Sequence, residues 1–232
     1  MAVLTKRKKE VEKLLDSNKT YGIEEAIAIL KKVPHVRFDE TVDINIKLGV
    51  NPKQSDQMVR GTVVLPHGTG KKKRILVFCK GEAAKFAKEA GADYVGDLDL
   101  IEKISLGWLE FDVAISTPEM MKEVGRLGKI LGPRGLMPNP KTQTVTEDVR
   151  KAISDVKGGK VEFKMDKQAN VHLGIGKLSF DEQRLAENVK VVIEAIGHSK
   201  PASLKTKFIK SMYLSSTMGP GIRLDLNQLK VD

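Results

Sequence analysis

The spacing of hydrophobic positions changes several times along the chain. Ile23, Ala26, Ile27 and Leu30 keep the i, i+3, i+4, i+7 spacing of one buried helical stripe, which Pro34 is expected to end. Before them, Lys6-Arg7-Lys8-Lys9-Glu10-Val11-Glu12-Lys13-Leu14-Leu15 reads as a basic helix with few apolar anchors, either touching phosphates or simply solvated. The period then drops to two. Val42, Ile44, Ile46 and Leu48 alternate with polar residues, which predicts a strand with one face buried and one wet. A second strand is expected over residues 60–65. The middle differs: Ile75-Leu76-Val77-Phe78-Cys79 and Val113-Ala114-Ile115 are apolar on both faces and alternate with helix-like segments, the pattern of a small parallel layer. Thr117 before Pro118, and Thr146 before Val149, Ile153 and Val156, are expected helix caps. After Gly159 the half-buried alternation returns in Val161, Phe163, Met165 and in Val171, Leu173, Ile175, with a hairpin turn over residues 166–170. A long helix carries Leu185, Val189, Val192 and Ile196 on one stripe. The last strand turns Met212 and Leu214 inward and Ser211, Tyr213, Ser215 and Thr217 outward, before a sharp turn at Met218-Gly219-Pro220-Gly221.

Two styles of segment therefore share one chain. The simplest fold is α/β overall: an α+β discontinuous domain with a split β-α-β antiparallel sheet, plus an inserted Rossmann-like three-layer α/β domain. The expected boundaries are 1–67 with 160–232 for the discontinuous domain and 68–159 for the insert. Two short glycine-bearing crossings would join them, a plausible hinge. Two helices on one face of a four-stranded sheet would leave the other face open, and the outward hydroxyl row would lie on it.

Composition adds a charge. Lys and Arg number 40 against 30 Asp and Glu, a net +10, which attracts polyanions and makes nucleic acid the default partner. A membrane surface fits less well, because no basic amphipathic helix carries aromatic anchors. A surface charged for solubility is the plain alternative. One Trp and three Tyr provide no evident stacking platform for single strands. No apolar run approaches a membrane span, and Met1 to Lys13 is too charged for a signal peptide. Cys79, the single cysteine, excludes intrachain disulfides and fits a reducing cytosol.

The signatures of catalysis fail one by one. Gly70-Lys71 lacks the P-loop pattern, since Leu65 stands where its first glycine belongs and Lys72 where Ser or Thr belongs. Gly81 follows the first buried strand without the glycine fingerprint of dinucleotide binding. The histidines at 35, 67, 172 and 198 have no zinc spacing, and Asp93, Asp97 and Asp99 read as a wet loop. No cofactor or metal is expected, and no enzyme. An enzyme or ligand-binding protein using the α/β insert is the alternative, and a protein-only scaffold a further one. Residues 125–141, rich in Gly and Pro and carrying Arg126, Lys129, Arg134 and Lys141, are either a phosphate-contacting loop or an ordered crossover.

Five motifs in order carry a resemblance. They are Arg37-Phe38-Asp39-Glu40-Thr41-Val42; Ser55-Asp56-Gln57 with Val59-Arg60-Gly61-Thr62; Leu65-Pro66-His67-Gly68; Gly132-Pro133-Arg134-Gly135-Leu136-Met137-Pro138-Asn139-Pro140-Lys141; and Ser216-Thr217-Met218-Gly219. Together they resemble the bacterial large-subunit ribosomal protein L-one family (universal name uL-one), over essentially the whole chain. The resemblance implies a cytoplasmic, ribosome-associated protein, monomeric off the ribosome, that binds large-subunit rRNA directly at the mobile side stalk. It also implies involvement in release of exit-site tRNA, and repression through a site on its own operon mRNA that mimics the ribosomal one. The RNA contacts it implies are Arg37, Phe38, Glu40 and Thr41 beside the first strand and Ser211, Thr217, Met218 and Gly219 at the last, with Lys164, Asp166 and His172 as further candidates. Hydroxyls suit an RNA read by shape, phosphate and 2′-hydroxyl. Gly219 would offer its N–H to a phosphate or ribose oxygen. Phe38 would pack on a sugar or base, or in the core. Glu40 would bind a 2′-hydroxyl, hold Arg37 or only orient the segment.

Overall fold

The computed structural model describes residues 6–16, 19–33, 36–202, 204 and 206–226. The expected helix stop at Pro34, His35 and the first five residues of the charged N-terminus lie outside the described residues. In chain order the first elements are α1 (Lys6–Leu14), α2 (Ile23–Lys32), β1 (Thr41–Leu48), β2 (Arg60–Val64), β3 (Ile75–Phe78), α3 (Glu82–Glu89), β4 (Tyr94–Gly96), α4 (Leu98–Ser105) and β5 (Val113–Ser116). There follow α5 (Met121–Val124), α6 (Gly128–Leu131), α7 (Val149–Lys157), β6 (Lys160–Lys164), β7 (Asn170–Lys177), α8 (Glu182–His198), β8 (Ile209–Ser216) and β9 (Ile222–Arg223). The chain folds as an α/β protein and divides into two compact units, residues 1–70 with 161–232 and residues 71–160.

The discontinuous unit is built on a four-stranded antiparallel sheet in the order β7-β1-β8-β9. β1 lies inside it, and its residues alternate strictly between half-buried and buried. Its buried row, Val42, Ile44, Ile46 and Leu48, packs with Val171, Leu173 and Ile175 of β7 and Met212 and Leu214 of β8. Ile27 and Leu30 of α2 and Leu185, Val189, Val192 and Ile196 of α8 cover that side. The fourth strand is β9, whose two residues are too few to show a period in the sequence. β2 and β6 stand apart as a pair of their own and add Val63 and Phe163 to the same core.

Residues 71–160 form three layers. β4-β3-β5 is a parallel sheet, and every residue of β3 is buried. Leu76 and Phe78 meet Ile101 and Ile104 of α4, Val124 of α5 and Leu131 of α6. Ile75 and Val77 meet Ala87 of α3 and Ile153 and Val156 of α7 on the other side. Two expected caps differ. Thr117 makes no side-chain capping bond; its N–H donates to the Phe78 carbonyl at 3.1 Å, and Pro118 opens a short 3-10 turn. The cap of α7 is Asp148, whose Oδ1 accepts from the Lys151 N–H at 3.1 Å, while Thr146 Oγ1 accepts from the Asp148 N–H at 3.2 Å. Residues 125–141 pass through single turns, including α6, before an irregular segment, as their glycines and prolines require.

Candidate nucleic-acid interface

Strand alternation sends one row of each strand away from the helices, and antiparallel register aligns those rows into a grid. Asn170, Lys47 and Ser211 stand side by side across β7, β1 and β8. His172, Asn45 and Tyr213 form the next row, continued by Arg223 of β9, and Gly174, Asp43 and Ser215 the next. Lys177 and Thr41 follow, with Thr217 just beyond β8. Side chains are bonded across the strands. His172 Nδ1 donates to Asn45 Oδ1 at 2.7 Å, and Asn45 Nδ2 donates to Ser215 Oγ at 3.2 Å. Asp43, Asn45, His172, Gly174, Ser215 and Thr217 line an open hollow of about 360 Å³.

One edge of this face is clamped by a buried carboxylate. Glu40 is 1% exposed, and its Oε2 accepts from Ser216 Oγ at 2.7 Å and from the Met218 N–H at 2.9 Å. The Thr217 hydroxyl accepts from the Thr41 N–H at 3.0 Å and donates to the Thr41 carbonyl at 3.2 Å, while the Thr217 N–H donates to that same carbonyl at 3.0 Å. On the other side, Lys177 Nζ donates to the Asp39 carbonyl at 3.1 Å and to Thr41 Oγ1 at 3.2 Å, and Asp39 Oδ2 accepts from Ser179 Oγ at 2.9 Å. Residues 39–41 are thus held between the ends of β7 and β8.

The residues singled out in the sequence divide accordingly. Arg37, Phe38, Lys164, His172, Thr217 and Met218 are exposed, and Thr41, Ser211 and Gly219 are half-buried. Phe38, at 54% exposure, lies outside the core that its shared parity with Val42 allowed for. Glu40 lies beneath the surface and grips the turn after β8. The Gly219 N–H is not turned to a ligand: it donates to the Ser216 carbonyl at 3.0 Å. A Cβ on Gly219 would come within 2.3 Å of Ser216 Oγ, so close approach is what requires glycine there. Asp166 serves the turn between β6 and β7: Oδ1 accepts from the Gln168 N–H at 2.8 Å and the Asn170 N–H at 2.7 Å, and Oδ2 from Asn170 Nδ2 at 3.0 Å. Burial pushes the Asp166 carboxyl up, but these donors, with His172 nearby, outweigh it and hold the group below the usual carboxylate range. Asp43, Asn45, Gly174, Ser215 and Lys177 were not singled out as contacts. Alternation gives their face, but only strand register makes them neighbours. Among the described residues, no three His, Cys, Asp or Glu side chains gather as a metal site, and no helix is long and apolar enough to cross a membrane.

Comparison with known proteins agrees over most of the chain. Residues 30–220 match the model of the Ribosomal protein L1p/L10e family. The large ribosomal subunit protein uL1 of Protochlamydia amoebophila (strain UWE25) is 54% identical over 224 residues, covering 97% of this chain and 95% of that protein. The chain belongs to the Ribosomal protein L1p/L10e family.

Proposed function

We propose that the protein is a structural component of the large ribosomal subunit that binds large-subunit rRNA through the polar face of the β7-β1-β8 sheet, with the discontinuous unit as principal RNA binder. The observation that carries this is the grid itself. It is a broad polar sheet face, bonded across three strands, in a member of a ribosomal protein family with net charge +10. Its donors and acceptors suit the 2′-hydroxyls and phosphates by which folded RNA is recognised. Arg37, Phe38 and Met218 at the clamped edge, and Ser211, Lys164 and His172 nearer the other end, would make direct contacts. Glu40, Asp166 and Gly219 would act by holding that surface in shape. The name of the 54% identical relative supports a role in the large subunit rather than in catalysis. We further infer that the protein takes part in exit-site tRNA release at the side stalk and represses its own operon mRNA, readings that rest on the family resemblance of the motifs at residues 37–42, 132–141 and 216–219. Filter retention of a large-subunit stalk RNA across a salt series tests the binding claim. Affinity should exceed that for a scrambled RNA and fall by roughly 0.7–0.9 log units per log unit of salt for each phosphate contacted. Equal retention of the scrambled RNA contradicts it.

A further inference from the structure

The glycine- and proline-rich stretch leads into a second hollow, within residues 71–160, that the RNA-binding reading leaves unused. Asn139 organises its end. Its Oδ1 accepts from the Lys141 N–H at 2.9 Å, its N–H donates to Thr144 Oγ1 at 2.8 Å, and its carbonyl accepts from Thr142 Oγ1 at 3.0 Å. The turn so formed leaves Gln143 at φ 53°, a left-handed conformation uncommon for a residue with a side chain. Gln143 Oε1 accepts from Lys160 Nζ at 2.8 Å. Both side chains line a cavity of about 270 Å³, together with Thr146, Asp148, Lys151 and Asp155.

Lys160 is an unusual lysine. It is 8% exposed, and the bond to its amine comes from a neutral amide rather than a carboxylate. Burial pulls its amine below the usual lysine range, with Asp155 opposing and Lys151 adding to the shift. A desolvated lysine of this kind presents more of its neutral, nucleophilic form, the state that condenses with carbonyl compounds.

We propose that Lys160 is a covalent binding site for a small polyhydroxylated aldehyde, held in this cavity as an imine. The lining selects that class. With the Lys160 amine held toward its neutral form, Lys151 offsets only one of the two aspartates, so a strongly anionic aldehyde is not favoured. Carboxylates, a threonine hydroxyl and a glutamine amide are the partners that sugar hydroxyls use. The volume suits a molecule of triose to pentose size, at or just under the lower end of the roughly 300–1,000 Å³ found for drug-sized ligands. In the reaction the Lys160 amine adds to the aldehyde carbon, forming the C–N bond. The carbonyl oxygen gains a proton as the new ammonium loses one through Asp155, giving a carbinolamine. Its hydroxyl then takes a proton back through Asp155 and leaves as water while the nitrogen lone pair closes the C=N bond, and the protonated imine so formed returns its N–H proton to Asp155. No oxidant or reductant is consumed.

The test uses the full chain, D-glyceraldehyde and cyanoborohydride, which reduces the imine to a stable secondary amine, with peptide mapping by mass spectrometry. Lys160 should be labelled about tenfold faster than the exposed Lys157 and Lys167. Lys73 is the internal control: burial also lowers its amine, but it donates to the Lys160 carbonyl at 2.6 Å and does not line the cavity. Lys73 should lag, and propanal, which has no hydroxyls, should lose the preference for Lys160. Lys160→Arg, its fold checked by thermal unfolding, should remove that adduct alone. Labelling of Lys160 no faster than the exposed lysines, equal labelling of Lys73, or an equal preference with propanal would each overturn the proposal.

Discussion

Replacing Glu40 by alanine isolates the clamp that shapes the candidate RNA edge. The substitution removes the acceptor of the Ser216 hydroxyl, itself 5% exposed, and of the Met218 N–H. Hydrogen bonds to a charged group contribute roughly 1.5–3 kcal/mol each, so the two together contribute about 3–6 kcal/mol. Release of a desolvated carboxylate offsets part of that, leaving an expected loss of about 2–4 kcal/mol. Urea unfolding followed by far-UV circular dichroism measures it. Trp108 fluorescence follows residues 71–160 separately, so a loss confined to the discontinuous unit is recognisable. Ser216→Ala completes a double-mutant cycle, in which the coupling between the two sites should be about 1–3 kcal/mol. Affinity for stalk RNA should fall alongside, because residues 216–219 lose their anchor. Unchanged unfolding of Glu40→Ala, or strict additivity with Ser216→Ala, would refute the clamp.

Gly219→Ala places a Cβ 2.3 Å from Ser216 Oγ and should cost about 1–3 kcal/mol in urea unfolding, whereas Gly221→Ala, whose nearest neighbour would be 4.0 Å away, should cost far less. Asn188 is fully buried in α8; its Oδ1 accepts from the His67 N–H at 3.2 Å, and its Nδ2 donates to the Ile175 carbonyl at 2.7 Å and the Gly68 carbonyl at 3.1 Å. Asn188→Leu should therefore destabilise by about 2–4 kcal/mol, and a variant as stable as wild type would show that these bonds contribute nothing net. The Asp166 carboxyl titrates lower in the folded chain than in the unfolded one, so its contribution is complete above the unfolded value of about 3.9 and disappears as pH falls through the folded value. Wild type should be more stable than Asp166→Asn at neutral pH, with the gap closing in acid; a gap independent of pH contradicts this.

The fold was legible wherever one period ruled a whole element. β1 carries four alternations, and α8 shows one stripe over many turns, so both could be read from spacing alone. β9 could not, because two residues have no period and its place depends on register with Tyr213 and Leu214. Thr117 keeps the expected cap position before Pro118 but opens a 3-10 turn without a side-chain bond, whereas Asp148, two residues after Thr146, takes the cap of α7. For the candidate interface, alternation exposed the hydroxyl row of β8. It could not give the partners Asn45 and Ser215, which lie 170 residues apart. Nor could it reveal that Thr217 uses its polar groups on the protein itself, since Thr41 completes those bonds only after β1 and β8 pair, whereas the Gly219 N–H is taken up locally by the Ser216 carbonyl of its own turn.

The most direct test of the proposed RNA-binding face is a negative charge placed at its centre. Tyr213 stands in the middle row of the grid, and Lys129 is an exposed lysine of the other unit. Stalk RNA binding by Tyr213→Glu and Lys129→Glu should be compared at one salt concentration, with circular dichroism confirming both folds. The account predicts a loss of about a hundredfold for Tyr213→Glu and of no more than about threefold for Lys129→Glu. Equal losses, or a loss at Lys129 alone, would contradict it.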